Sequence, residues 1–256
     1  MSETAIIAIS FLLGTFWGSF FYTLALRYAA GEMGKAPLKA LFSRSRCPSC
    51  HGVISPLLLV PLAGYLVRRG RCAFCGNRIS PLYPASELLY GAMAALFAWK
   101  LGASPLTFFL YLIAALALSI ALVDVMTLTI PDSMVVAFAI LSLYPVVLNY
   151  NFRDNLFGLL ALFALFIVIL LLFPGSFGGG DVKFAAAIGF LCGLELSLVV
   201  LEVSLVSGAL IGVSYALTTK KGLRTKIPFA PFLSLGLIIS LLYGREILLV
   251  YYRVLY

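Results

Sequence analysis

Charged residues are scarce in this chain. They make up 11% of its 256 residues, whereas hydrophobic residues make up 62%. An ordinary soluble domain has about 25% charged and about 45–50% apolar residues, so the composition excludes that class. Strict alternation of apolar and polar residues is also missing, which argues against transmembrane strands and favours continuous apolar helices. The composition therefore predicts a multi-pass membrane protein.

Apolar runs long enough to cross a hydrocarbon core of ~30 Å as helices recur along the chain. We count eight, with a short sixth run, and predict an all-α bundle of about eight transmembrane helices. The first run lacks a basic n-region and a small-residue cleavage site, so we expect a retained helix and not a removed signal peptide. The runs cover residues 4–26, 83–100, 104–123, 133–150, 155–173, 184–196, 198–217 and 229–250.

The chain's organisation follows from these runs. We predict three parts: a first transmembrane helix at 1–26, a cytosolic loop domain at 27–82, and a seven-helix membrane core at 83–256. An apolar segment inside the loop domain, residues 53–67, is too short and too rich in proline to span a membrane. We expect it to lie in the membrane interface or to pack on the helices.

The basic residues are sorted by loop, as membrane topology requires. Residues 27–78 hold nine of the eighteen Lys and Arg residues, and residues 220–226 hold four more. If both loops are cytosolic, eight spans place both termini outside. The same threading brings Asp124 and Asp181 to the cytosolic face. The net charge of +8 is then a consequence of topology, and we expect lipid and not nucleic acid as a partner.

Two aspartates stand where a long apolar run meets a break. Asp124 ends one run, and Asp181 follows the glycines 178–180. A charge deep in hydrocarbon costs about 2.5–3.5 kcal/mol or more, which makes such residues candidates for function. Two facing carboxyl groups would share a proton and could activate water, which is the mechanism of aspartic proteases. Gly178 and Gly180 would permit close backbone approach beside Asp181.

Other polar residues near these breaks have simpler interpretations. A carboxylate at a helix end can be merely solvated, and Asp181 could cap the helix that follows it. For Asp132, after a proline and before a helix, we expect a capping role. Lys183 could support a nearby carboxylate or extend toward lipid headgroups. Glu87 could contact the substrate's amino terminus or a structural partner such as an arginine.

The loop domain carries two Cys-x-x-Cys knuckles. Four thiolates at this spacing favour a structural zinc site, because protein then fills all four positions of a tetrahedral ion. The reducing cytosol favours metal over disulfides, although a redox pair and an unligated cluster stay open. His51 could replace a thiolate or be an exposed loop histidine. The four candidate ligands are Cys47, Cys50, Cys72 and Cys75.

An ordered series of motifs extends from Gly18-Ser19-Phe20 to about Gly236. The series resembles the bacterial type IV prepilin peptidases, membrane aspartic proteases of the Gly-x-Gly-Asp type. It comprises the two knuckles with Arg69-Gly70-Arg71, then Ile79-Ser80, Tyr83-Pro84 and Glu87-Leu88-Leu89, Asp124 with Ile130-Pro131-Asp132, Gly178-Gly179-Gly180-Asp181-Val182-Lys183, and Ile227-Pro228-Phe229-Ala230-Pro231-Phe232.

This resemblance implies an endopeptidase of the bacterial inner membrane. Its substrates would be type IV prepilins, or the pseudopilins of type II secretion, from which it removes a short basic leader. Asp124 and Asp181 match the family's two catalytic aspartates. In many members the enzyme then N-methylates the new amino terminus with S-adenosylmethionine. No residue is indicated for that cofactor, and no oligomeric state is indicated.

The chain departs from the family pattern at two places. Phe21-Tyr22 stands where Leu-Asn is usual, and the apolar stretch Ser55 to Pro61 stands where the family is polar. An enzyme that cleaves without methylating is therefore an alternative. A second alternative is an ion-coupled transporter, although such proteins bind ions near the membrane midplane and often contain repeats, which this chain does not show. A third is an inactive membrane scaffold whose zinc loop binds partners.

Overall fold

The computed structural model describes residues 2–34, 41–149, 151–173, 178–219 and 227–255. Lys35 and Lys39, and all four basic residues of the loop at 220–226, lie outside these ranges. The chain separates into two compact units, Met1–Ala103 and Ser104–Tyr256. The division into three parts at residues 26 and 82 stays a prediction.

Helices dominate both units. The first contains α1 (Glu3–Ala29), short 3-10 turns at Glu32–Gly34 and Pro56–Leu59, α2 (Ala63–Val67) and α3 (Leu82–Leu101). The second contains α4 (Pro105–Thr127), α5 (Asp132–Asn149), α6 (Phe152–Leu172), α7 (Gly179–Thr219) and α8 (Ala230–Leu255). Within the described residues, β pairing is limited to the isolated bridges Arg46 to Val53 and Arg71 to Arg78.

Five described helices are long and apolar enough to cross a membrane, which confirms the predicted all-helical membrane architecture. They are Glu3–Ala29, Pro105–Thr127, Phe152–Leu172, Gly179–Thr218 and Ala230–Val254. The predicted count of eight is approximate. Helices α3 and α5 occupy the predicted second and fourth spans but fall short of these criteria. The predicted sixth and seventh spans correspond to α7, which the non-helical residue Gly193 divides into two helices.

Helices α1 and α3 approach each other closely because small residues line their contact. A Cβ added at Gly14 would lie 2.5 Å from Ala94 Cβ, and one added at Gly18 would lie 2.8 Å from Tyr90 Cβ. As residue numbers rise along α1, the numbers of the contacting residues in α3 therefore fall. The two helices run antiparallel, so the end of α1 and the start of α3 lie at the same level.

Helix α7 is broken at Gly193, whose φ is 73° and ψ is −179°. A break in a helix leaves backbone groups without partners, and an apolar medium offers no water to satisfy them. Helix α6 supplies the partners. Asp154 Oδ1 accepts the N–H of Leu194 at 3.2 Å, and Asn155 Nδ2 donates to the carbonyl of Phe190 at 2.8 Å. Because α6 satisfies both sides of the break, α7 can change direction inside the bundle.

The break predicts that Gly193→Ala destabilises the folded protein. A Cβ there would meet the Asp154 carboxylate, and the backbone lies in a region that only glycine adopts readily. Gly102 is a matched control, because its φ of 74° and ψ of 168° are similar but no atom lies within 4 Å of an added Cβ. We expect Gly193→Ala to lower the melting temperature in detergent by more than Gly102→Ala does. Equal losses would contradict the role assigned to Asp154.

Candidate active site

Asp124 lies in the last turn of α4 and is 5% exposed. The helix ends directly after it, because Leu128 adopts a left-handed conformation (φ 53°, ψ 33°). Asp124 Oδ2 accepts the backbone N–H of Ala230 at 3.1 Å. Ala230 is the first residue of α8, so the carboxylate satisfies one of the free N–H groups at that helix's positive end.

Asp181 lies in the first turn of α7. Its Oδ2 accepts the N–H of Gly178 at 2.8 Å, in the manner of an acidic residue that reaches back to the N-cap. Oδ1 is buried and has no hydrogen-bond partner among the described residues. One oxygen thus holds the start of α7, and the other is an unsatisfied acceptor of the kind that a functional site can use.

The two carboxyl groups are brought together within the second unit. Asp124 binds the start of α8, and Gly180, next to Asp181, packs on Ile130, six residues after Asp124. Four helix ends converge on them: the end of α4 and the starts of α5, α7 and α8. An acid pair at such a convergence can bind and activate a water molecule.

Gly180 has a structural reason to be glycine. A Cβ there would lie 2.9 Å from Ile130 Cβ, so the segment after α4 packs directly on the start of α7. Gly179 differs, because no atom lies within 4 Å of an added Cβ, and at Gly178 the nearest atom is Asp181 Oδ2, at 3.4 Å. The segment after α4 therefore approaches Gly180 closely, and the predicted close approach of a substrate backbone beside Asp181 stays a prediction.

Lys183 pairs with Asp132. Its Nζ donates to Oδ1 at 2.8 Å and to Oδ2 at 3.0 Å, joining the starts of α5 and α7. Asp132 is the first residue of α5, and this ion pair occupies the carboxylate for which we expected capping. Both side chains are largely exposed, so the pair contributes little stability, about 0–1 kcal/mol.

Glu87 belongs to the first unit and is 8% exposed. Its Oε2 accepts the backbone N–H of Leu62 at 2.7 Å. The Ser19 hydroxyl is a second hydrogen-bond partner. Glu87 therefore has structural partners, although they are not the arginine that we considered. Its predicted supporting role in catalysis stays a prediction.

The four predicted metal ligands form one cluster in the first unit. Their sulfur atoms all lie within 4.8 Å of one another, with Cys47 to Cys75 and Cys50 to Cys72 both at 3.9 Å. Four sulfurs placed about 2.3 Å from a tetrahedral zinc ion lie about 3.8 Å apart. Two of the sulfur pairs therefore already have the spacing of a zinc site, and the cluster fits the ion after shifts of at most about 1 Å in the other pairs. His51 is exposed, and the four sulfurs already complete the set.

Backbone hydrogen bonds favour thiolate at two of these cysteines. The N–H groups of Cys75 and Phe74 lower the pKa of the Cys72 thiol to about 6. Those of Cys50 and Ser49 lower the pKa of Cys47. Metal binding requires thiolates, so Cys47 and Cys72, one cysteine of each knuckle, favour the charged form before a cation arrives.

Two family models match this chain, one within each of its two compact units. A model described as the bacterial peptidase A24 N-terminal domain matches residues 12–101, and one described as the type IV leader peptidase family matches residues 110–213. A prepilin leader peptidase/N-methyltransferase of Bacillus subtilis (strain 168) is 32% identical, over 96% of this chain and 98% of that protein. The chain belongs to the type IV leader peptidase family. It is an enzyme of that family, as the motifs predict.

Other relatives carry the same description. One from Legionella pneumophila is 29% identical over 84% of this chain and 77% of its own length. Another from Stutzerimonas stutzeri is 30% identical over 84% of this chain and 78% of its own length. No solved structure matches the chain.

Two parts of these sites were not evident from the sequence. The Ala230 N–H that holds Asp124 belongs to a motif we had noted, but the motif by itself did not indicate this contact. The Leu62 N–H that holds Glu87 has no local signal, because its partner is 25 residues away. A search for buried carboxylates and irregular backbone would have identified both pairs.

The glycine geometry predicts different effects of alanine at adjacent positions. Gly180→Ala must displace Ile130, and such overpacking costs about 1–3 kcal/mol. Gly179→Ala meets no atom and gains helix propensity of about 0.5–1 kcal/mol. We expect a lower melting temperature for Gly180→Ala only. If both variants melt alike, Ile130 does not pack on the start of α7 as described.

The cysteine cluster predicts one tightly held zinc ion per chain. Cys47→Ser should release the metal, measured by elemental analysis of purified protein, and should expose residues 41–81 to protease. Cys192→Ala is the matched control, because Cys192 is buried in α7 apart from the cluster. Absence of zinc from the purified unmodified protein, or full zinc content in Cys47→Ser, would contradict the assignment.

Proposed function

We propose that Asp124 and Asp181 are the catalytic dyad of a membrane aspartic endopeptidase. The observation that carries the proposal is their placement in a member of the leader peptidase family. Asp124 is buried at the end of α4 and binds the start of α8, and Asp181 lies in the first turn of α7, which packs on the segment after α4. Its substrates are prepilins or pseudopilins, from which it removes the short leader before the apolar helix. Family membership supports this substrate class.

The proposed reaction uses one proton shared by the pair. The ionised carboxylate takes a proton from water while the water oxygen attacks the scissile carbonyl carbon. The other carboxyl group gives its proton to the carbonyl oxygen. Collapse of the tetrahedral intermediate then breaks the C–N bond, and the amine leaves with a proton returned by the dyad. Which aspartate starts protonated is a property of the pair.

The local structure supports this division of labour. Asp124 is held by Ala230 and Asp181 by Gly178, each through Oδ2. These bonds fix the orientation of the carboxyl groups, and the second oxygen of Asp181 has no hydrogen-bond partner among the described residues. Positioning of this kind lowers the barrier because the reacting groups do not have to reorganise.

We further propose that the active site faces the cytosol of a bacterium, at its inner membrane. The support is the concentration of basic residues in two loops, of which the one at 220–226 lies outside the described residues. A cysteine introduced at Lys39 or Arg224 should be protected from an impermeant reagent in intact cells. A cysteine introduced at Ser2 should be labelled. The reverse pattern would overturn this topology.

Methyl transfer is a second candidate function. The observation that favours it is the description of the relatives, which are named as N-methyltransferases. The zinc loop with its apolar segment departs from the family pattern, so cleavage without methylation is the alternative. Mass spectrometry of cleaved prepilin incubated with S-adenosylmethionine decides between them, because methylation adds the mass of one methyl group to the new amino terminus.

The dyad predicts that Asp124→Asn and Asp181→Asn each abolish cleavage. The amide oxygen of Asn still accepts the backbone N–H, so the fold is preserved while the shared proton is lost. We expect each rate to fall by about three orders of magnitude or more, and the double variant to be no worse, because the two act as a unit. The assay is cleavage of a purified prepilin in liposomes.

Asp132→Asn is the control for this experiment. It removes a nearby carboxylate whose ion pair with Lys183 is exposed, and it should retain most of the activity. Substantial cleavage by either dyad variant would show that the assignment is wrong.

A further inference from the structure

The apolar segment of the loop domain folds into a compact unit, which we call the apolar hairpin (Pro56–Val67). A 3-10 turn at Pro56–Leu59 packs against α2, so closely that a Cβ at Gly64 would meet the carbonyl of Leu58. The Gly64 N–H donates to Val60 at 3.0 Å. The segment is therefore an ordered element and not a loose linker.

The tip of this hairpin reaches the membrane helices. The N–H of Leu62 donates to Glu87 in α3. Glu87 lies level with Gly18 of α1, since a Cβ added at Gly18 would be 3.1 Å from Glu87 Cα. Gly18 precedes the end of α1 at Ala29 by about 16 Å of helix, at 1.5 Å per residue.

That depth places the tip within hydrocarbon. Helix α1 has 27 residues and is therefore about 40 Å long, whereas the hydrocarbon core is ~30 Å thick. Even if all of the excess, about 10 Å, projected beyond the membrane at Ala29, the level of Gly18 would still lie inside the core. The hydrogen bond to Glu87 thus brings Leu62 to lipid depth.

Hydrogen bonds satisfy part of the hairpin's backbone, including its most irregular residue. Leu62 has φ 60° and ψ −50°, which no regular helix allows, and its N–H would be orphaned without Glu87. An unsatisfied group in hydrocarbon costs several kcal/mol. The remaining bonds are internal: Leu58 to Ser55 at 2.9 Å, Gly64 to Val60 at 3.0 Å and Leu66 to Leu62 at 3.0 Å.

The outer side chains of the hairpin are apolar and uncovered by the described protein. Leu57 is 82% exposed, Leu66 71% and Val67 75%. A basic stretch follows directly, with Arg68, Arg69 and Arg71 all exposed. Apolar groups beside cations are the pattern of segments that lie in the interface of an anionic membrane.

We propose that the apolar hairpin inserts into the lipid beside α1 and α3 and that Arg68, Arg69 and Arg71 bind anionic phospholipid headgroups. Each basic residue near such a surface contributes about 1 kcal/mol of attraction. Glu87 acts as a positioning residue, because it holds the tip of the hairpin at depth. The partner is an anionic leaflet, so the loop domain is attached to the membrane at its middle as well as at its two ends.

The test measures the depth of one side chain in the full-length protein. Trp17 and Trp99 are changed to Phe, and Leu66 is changed to Trp. The protein is placed in nanodiscs of phosphatidylcholine brominated on its acyl chains, with or without phosphatidylglycerol. We expect blue-shifted emission and several-fold stronger quenching than for Trp at Asn77, an exposed residue of the second knuckle. Quenching should be stronger with phosphatidylglycerol.

Two variants connect this readout to the proposed contacts. Glu87→Ala should reduce quenching of the Trp at 66, while Glu87→Gln, which retains an acceptor for the Leu62 N–H, should preserve it. The double variant Arg68→Gln, Arg71→Gln should remove the dependence on phosphatidylglycerol. Arg153→Gln, an exposed site in α6, should not. Circular dichroism confirms that each variant is folded.

Other outcomes overturn the proposal. Blue-shifted but unquenched emission means that the hairpin packs on protein. If the Trp at 66 emits like the Trp at 77, the hairpin lies in water, where it could bind a protein partner instead of lipid. Equal quenching with and without phosphatidylglycerol means that the three arginines do not bind anionic headgroups. None of these results depends on cleavage activity, so a failure here is distinct from a failure of the proposed catalytic dyad.

Discussion

A backbone N–H that leaves regular helix in an apolar medium needs an acceptor, and in this chain a carboxylate supplies it at four places. Asp124 accepts from Ala230, Asp181 from Gly178, Asp154 from Leu194 and Glu87 from Leu62. Each unsatisfied N–H would cost about 1–3 kcal/mol. Acids are few in this chain, ten in all, and four of them hold the irregular backbone on which its shape depends.

This constraint explains why the proposed catalytic groups lie at helix ends. A helix end offers free N–H groups and the positive end of a dipole, which together stabilise a carboxylate that the surrounding lipid disfavours. The same bonds limit how the carboxyl group can turn. The hydrogen bonds that orient Asp124 and Asp181 also stabilise these carboxyl groups in the bundle, and each group keeps a second oxygen for chemistry.

The loop domain is also held in place by a few specific polar contacts. It is too small to bury a large core, so a cysteine cluster holds the two knuckles together and a buried glutamate attaches the apolar hairpin to the helices. The cysteine cluster and the carboxylate act at different points: the predicted metal ligands lie at 47–50 and 72–75, and the Glu87 contact lies at Leu62 between them. The segment between the knuckles is thereby held at its middle and at both ends.

The sequence by itself determined the membrane class, the helical architecture, the family, and the convergence of four cysteines, because each depends on composition or on spacing within one segment. Runs of apolar residues specify helices wherever they fold, and two Cys-x-x-Cys turns form locally before they meet. Only the tertiary structure decided that Lys183 pairs with Asp132, 51 residues away, and that Asp124 holds Ala230, 106 residues away. Gly180 illustrates the same limit. Its run of three glycines indicated close backbone approach beside Asp181, and only the folded chain shows that Ile130 makes such an approach at Gly180, since packing between distant segments leaves no trace in local pattern.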